Sequence, residues 1–284
     1  MKDPIYVCGH TPGELERLRL QSVFFEDITR RMFEASGLQP GFRVLDIGCG
    51  VGDVSFLAAE MVGPSGFVVG IDRAPEAVGM ARARAQAEGR TNVEFHLGAI
   101  DELVGGAAFG DDRGFDALVG RFVLMHQSNP AATLRAAAQH VRPGGVVVFL
   151  ESAMSACVAS LHSFPHSPTY DRIVRLITDT IRAAGGDVSM GLRLAAVFED
   201  AGLPHPTMRL QGCVESGRDA AIYRYMTDSL RSVLPLARQL GVDDAANVNI
   251  EKLEEELRAE VVVSGATLVS PPIVAAWCKI NCRA

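Results

Sequence analysis

The sequence predicts an α/β fold, a mostly parallel sheet wrapped by helices, and three observations carry that prediction. Short apolar runs at 43–47, 67–71, 93–97, 115–120 and 146–150 have the length of buried strands. Helical patterns at 52–62, 75–88 and 130–141 fall between them. Strands alternating with helices in this way form right-handed βαβ units on a parallel sheet. Third, the first strand, Val44-Leu45-Asp46-Ile47, runs straight into Gly48-Cys49-Gly50-Val51-Gly52, and a helical pattern opens right after it.

Each element has its own start and stop. Thr11 is the N-cap of the first helix, with Pro12 at its first position and Glu14 three residues after the cap. Leu18, Phe25, Ile28 and Met32 then repeat with a helical period, Gly37 ends the helix, and Gln39-Pro40-Gly41 turns into the first strand. Gly63-Pro64-Ser65-Gly66 stops the second helix, Asn129-Pro130 starts a later one, and Arg142-Pro143-Gly144-Gly145 leads into the fifth strand. Beyond Glu151 the rhythm changes. Residues 152–170 read as a loop, 170–184 and 191–201 as helices, 206–214 as a strand, 218–240 and 249–263 as helices, and 268–280 as a last strand. The segments expected are an N-terminal helical lid (1–38), a ligand-binding core (39–151) and the rest of the sheet with helical cap insertions at about 152–190 and 218–264.

Composition narrows the function. A length of 284 residues and 48% hydrophobic content allow a sizeable core. The net charge of −7 argues against a basic nucleic-acid surface. Cys8, Cys49, Cys157, Cys213, Cys278 and Cys282 are scattered without CxxC or zinc-finger spacing, so no metal is expected and a reducing cytoplasm suits the chain. No signal peptide or membrane span is expected. Oligomeric state is left open, a homodimer included.

A glycine-rich turn lets a ligand lie against bare backbone, and the helix N-terminus behind it favours an anionic group. The dinucleotide fingerprint would place its third glycine at 53, where this chain has Asp53, so NAD and FAD are disfavoured. Asp46-Ile47-Gly48-Cys49-Gly50-Val51-Gly52 resembles the first motif of the class I methyltransferases that use S-adenosylmethionine. The resemblance covers residues 40–151 and, more loosely, the first helix, and points towards ubiquinone/menaquinone-type and natural-product enzymes. It implies a Rossmann-like seven-stranded sheet, mostly parallel with an antiparallel last strand, an N-terminal helix and helical cap insertions. It also implies S-adenosylmethionine as cofactor and a small-molecule methyl acceptor, methylated at O, N or C.

The resemblance assigns the cofactor contacts to Gly48, Cys49, Gly50 and Asp53 at the turn, and to Asp72 and Arg73 after strand two. Asp72 would accept both ribose hydroxyls, or else begin the helix at Pro75. Asp46 would orient the methionine amino end, or else serve as an acid at the helix terminus. After strand three the usual acid is replaced by Ala99; Ile100 would pack on adenine unless Asp101 reaches back. Arg121, after strand four, would meet the cofactor carboxylate or a surface acid, and Gln21 of the N-terminal segment Tyr6–Gln21 would be a further carboxylate contact or part of a solvated helix face.

Methyl transfer asks the protein to align nucleophile, methyl and sulfur and to exclude water. A base is needed only for a protonated nucleophile. The candidates are His10, His126, His162, His166 and Glu151; His126 can equally be structural, and the loop histidines solvated. Arg172, Arg175, Arg193 and Arg224 on the cap helices can grip an anionic acceptor or form a solvated face. Two rival readings are a non-catalytic S-adenosylmethionine-binding protein and an NAD-dependent oxidoreductase.

Overall fold

The computed structural model describes residues 12–99, 114–159 and 162–281, the backbone alone at 12–23 and 157–159. After helix α1 (Pro12–Ser36) come β1 (Arg43–Ile47), α2 (Asp53–Val62), β2 (Phe67–Asp72), α3 (Pro75–Ala87) and β3 (Val93–Leu97). β4 (Phe115–Arg121), α4 (Pro130–Ala138) and β5 (Val141–Ser152) complete the alternating half. The second half holds α5 (Met154–Ala159), β6 (Ser163–Phe164), α6 (Pro168–Ala183), α7 (Met190–Asp200), β7 (Thr207–Gln211) and β8 (Val214–Ser216). It closes with α8 (Ile222–Gln239), α9 (Ile250–Ser264), β9 (Thr267–Val269) and β10 (Ile273–Lys279).

Seven strands form one sheet in the order β3-β2-β1-β4-β5-β10-β7. The first five are parallel, and β10 runs antiparallel to both β5 and β7. From β1 the chain winds outward to β3, then returns to β4 on the other side. The reversal leaves a crevice beyond the carboxyl ends of β1 and β4, where ligands bind in sheets of this kind.

Both faces of the inner strands β1, β2, β4 and β5 are covered, which is why they read as unbroken apolar runs. Val44, Val68, Val119 and Val148 face a core shared with α1, α2 and α3. Leu45, Val69, Leu118 and Val147 face a core shared with α4, α7 and the cap helices α6, α8 and α9. Fully burying one such side chain contributes about 1.5–3 kcal/mol.

The structure corrects several expected boundaries. The span 152–170 is not a plain loop, since it contains α5, β6 and the start of α6. The strand expected at 206–214 divides into β7 and β8, which belong to different sheets. The strand expected at 268–280 divides at Ser270-Pro271-Pro272 into β9 and β10. β6, β9 and β8 form a second, three-stranded antiparallel sheet. The helix expected at 130–141 stops at Ala138, because Val141 already pairs with Phe115.

Candidate active site

The turn after β1 is held from four sides. The Cys49 N–H donates to the Ile71 carbonyl at 3.0 Å, and the Gly52 N–H to the Cys49 carbonyl at 2.9 Å. The Gly50 N–H donates to Asp72 Oδ2 at 2.8 Å. Arg84 of α3 donates from Nη1 to the Val51 carbonyl at 2.8 Å and to Asp53 Oδ1 at 2.7 Å.

Two glycines in this turn have different tasks. Gly50 has φ +54°, and a Cβ there would meet nothing within 4 Å, so its backbone lies open. Gly52 has φ +92°, and a Cβ there would fall 2.7 Å from Phe95 Cζ and 2.8 Å from Phe56 Cε2. Gly52 therefore lets α2 pack against β3, the task that the dinucleotide fingerprint gives to a glycine one residue later.

Asp72 serves the start of α3 and the glycine turn at once. Oδ1 accepts the Ala74 N–H at 2.9 Å at the start of α3, while Oδ2 faces the glycine turn. Arg73 beside it is exposed, and Ala99, after β3, is buried. Asp53 is committed to Arg84. Cys49 is buried beneath the turn, and burial pushes its thiol well above the ordinary range. Asp46 is 1% exposed and accepts the Ser55 hydroxyl at 2.6 Å, tying β1 to α2. Burial pushes Asp46 up to about 7, against the opposing pull of Ser55 and Arg121.

Arg121, at the end of β4, donates from Nη1 to Thr29 Oγ1 of α1 at 2.9 Å. Burial lowers its pKa, and the nearby carboxylates of Asp53 and Asp46 oppose the shift. α1 is joined to α8 above this point by aromatic rings. Phe24 stacks on Tyr225 at 4.5 Å between centroids, and Phe25 stands edge-on to both Tyr225 and Phe122.

The candidate bases are not gathered in one place. Glu151 is fully buried at the end of β5, and its carboxylate accepts the N–H groups of Val123, Leu124 and Met125. Burial raises it to about 7 while these three bonds pull it down. His126 ends the short turn after β4, and burial lowers it to about 4. His162 is buried with Nε2 3.2 Å from Asp171 Oδ1, whereas His166 is exposed. His10, Tyr6, Ile100 and Asp101, and the side chain of Gln21, lie outside the described residues. Arg172, Arg175, Arg193 and Arg224 pair with Asp244, Asp171, Asp187 and Asp228 on the surface. Among the described residues, no group of three or more His, Cys, Asp or Glu could hold a metal ion, and no helix is long and apolar enough to cross a membrane.

Arg84, Ser55 and the Phe24–Tyr225 pair were not singled out from the sequence. Arg84 sits in an ordinary run of arginine and alanine, and only the fold brings it to Val51. The helical period of α1 does mark Phe25, but its partner lies 200 residues away on α8.

The raised carboxylates give a pH dependence with a definite sign. Folded Asp46 and Glu151 hold their protons to about 7, while the unfolded chain releases them near 4. Raised folded values mean stability that is full at low pH and is lost as the pH climbs through 7. His126 acts oppositely, but only between about 4 and 6.5. The protein is expected to lose stability from about pH 6.5 to 8, and Asp46→Asn to lose less over that range. Urea midpoints at both pH values check this. A wild-type midpoint that rises with pH, or an unchanged slope in Asp46→Asn, would contradict it.

A protein-family model described as a methyltransferase domain matches residues 38–189, more than half of the chain. The chain is 30% identical over 187 residues to the ubiquinone/menaquinone biosynthesis C-methyltransferase UbiE of Ectopseudomonas mendocina, covering 63% of this chain and 71% of that protein. It is 35% identical over 138 residues to the aklanonic acid methyltransferase DauC of a Streptomyces species, covering 49% of this chain and 60% of DauC. Other curated relatives are spanned over less of their length, such as 48% of a 37.1 kDa protein in transposon TN4556 of Streptomyces fradiae. Among solved structures, the YcgJ protein of Bacillus subtilis shares the fold with a TM-score of 0.53 at 17% identity, over 90% of this chain and 98% of that one. The seven-stranded sheet, the glycine turn at its switch point and the matched domain agree: the chain belongs to the methyltransferase-domain family, whose cofactor is S-adenosylmethionine.

Proposed function

We propose that the protein transfers the methyl group of S-adenosylmethionine to a small organic acceptor by in-line displacement. The observation that carries this reading is the open backbone of Gly50, pinned by Asp72 beyond the ends of β1 and β4. The residues present fit the cofactor. Space where a Cβ at Gly50 would stand suits close approach of a ligand. Asp72 would hold the ribose hydroxyls, the start of α2 and Arg121 the amino-acid carboxylate, and Ala99 the adenine side.

When bound, S-adenosylmethionine supplies a methyl group already activated as part of a sulfonium. The chain's own residues are left to orient the acceptor and exclude water. The aromatic junction of α1 with α8 supports the second task, as a roof beside Arg121 and Phe122. Glu151, one of the candidate bases, is engaged by backbone amides, which supports a reaction led by orientation. The names of UbiE and DauC support a small acceptor, and the net charge of −7 speaks against nucleic acid. The free thiols of Cys49, Cys213 and Cys278 suit a reducing cytoplasm.

Methyl-labelled S-adenosylmethionine offered with a panel of phenols, quinols, amines and activated carbon acids tests the reading. Label should enter one acceptor class, and the product identifies the atom methylated. Calorimetry tests the cofactor separately: S-adenosylhomocysteine should bind and NADH should not. Tight NADH binding without S-adenosylhomocysteine would overturn the proposal. Asp72→Ala is expected to weaken S-adenosylhomocysteine binding by about 1–3 kcal/mol, the scale of hydrogen bonds to a charged acceptor. Unchanged affinity would remove Asp72 from the ribose role.

A further inference from the structure

Phe122 has φ +58°, and among the described residues it and Asp244 are the non-glycine residues with positive φ. A bulky aromatic residue held there is strained, so its surroundings must over-determine it. Val123 follows at φ −109°, ψ −51°. A left-handed residue followed by a right-handed one turns successive N–H groups to one side and makes a concavity for an anion.

That concavity is filled from within. Glu151 Oε1 accepts the N–H groups of Val123 at 2.9 Å and Leu124 at 2.7 Å, and Oε2 that of Met125 at 3.4 Å. Glu151 ends the neighbouring strand and is 0% exposed. The turn is clamped from two more directions. The Phe122 N–H donates to the Leu150 carbonyl at 2.9 Å, and the Asp187 N–H to the Met125 carbonyl at 2.9 Å.

The clamped residues reach three parts of the cleft. Arg121 bonds Thr29 of α1, and Phe122 packs edge-on to Phe25. Val123 lies so close to the cofactor turn that a Cβ on Gly48 would fall 2.6 Å from its Cγ2. We infer that Glu151 is a positioning residue: its two carboxyl oxygens fill a backbone nest, and it sets Arg121, Phe122 and Val123 against the glycine turn and the roof. The inference deepens the proposed methyl-transfer reading and rests on it. Buried, with both oxygens engaged, Glu151 acts on the cofactor turn through Val123 and not on the acceptor directly.

Glu151→Gln and Glu151→Leu test this through amide hydrogen exchange and S-adenosylhomocysteine affinity. The glutamine keeps one oxygen for Val123 and Leu124 but turns an N–H₂ towards Met125; the leucine keeps no acceptor. Exchange should speed up at 122–126 and also at 48–50, more in the leucine variant, while the amides of β2 and β3 stay protected. Affinity should fall about tenfold in Glu151→Gln and further in Glu151→Leu, the range for losing one or more buried hydrogen bonds. Faster exchange at 122–126 alone, with affinity unchanged, would overturn the inference. So would unchanged exchange in both variants, or global unfolding of the glutamine variant. A wild type that does not bind S-adenosylhomocysteine would strike the methyl-transfer reading instead, and exchange at 48–50 would still decide whether Glu151 supports the glycine turn.

Discussion

Gly50→Val is expected to yield a folded protein that has lost S-adenosylhomocysteine binding by at least about 100-fold, or roughly 3 kcal/mol. The new side chain would clash with no protein atom, because a Cβ at Gly50 has nothing within 4 Å. What it would fill is the space assigned to the cofactor. The backbone at φ +54° adds strain of about 1–3 kcal/mol, which a domain with two full cores can absorb. Thermal denaturation and calorimetry on one preparation separate the two effects. A folded Gly50→Val protein that binds as well as wild type would contradict the backbone-approach account.

Gly52→Val is expected to fail in the opposite way. It lies two residues on in the same turn, but its Cβ would strike Phe95 and Phe56 at under 3 Å. Those rings pack edge-to-face at 5.5 Å and join α2 to β3. Overpacking of about 1–3 kcal/mol adds to left-handed strain of similar size, for a total loss of about 2–6 kcal/mol. The denaturation midpoint should drop sharply before any ligand is added. A Gly52→Val protein with wild-type stability and lost binding would show that Gly52, too, faces the ligand.

The contrast between these glycines marks how far sequence reading reaches. The glycine spacing gave the turn, and the alternation of apolar strands with capped helices gave the parallel half of the sheet, because those signals are local. Which glycine faces ligand and which faces Phe95 depends on β3, more than 40 residues on, and no local pattern carries it. The second sheet has no local signature for a related reason. β6 is two residues long, and its pairing with β9 joins positions about 100 residues apart. Pro271-Pro272 stand near the start of the strand expected at 268–280, and nothing local marks them as a crossing between sheets. From the sequence Glu151 is one of the candidate bases. Only the left-handed Phe122 shows that backbone amides already claim it.

A crystal structure of the protein with S-adenosylhomocysteine bears most directly on the site. The ligand should lie against Gly50 with its ribose at Asp72 and its sulfur turned towards Phe122 and the α1–α8 roof. The same ligand bound elsewhere with Gly48–Gly52 vacant, or a pyrophosphate seated in that turn, would contradict the assignment.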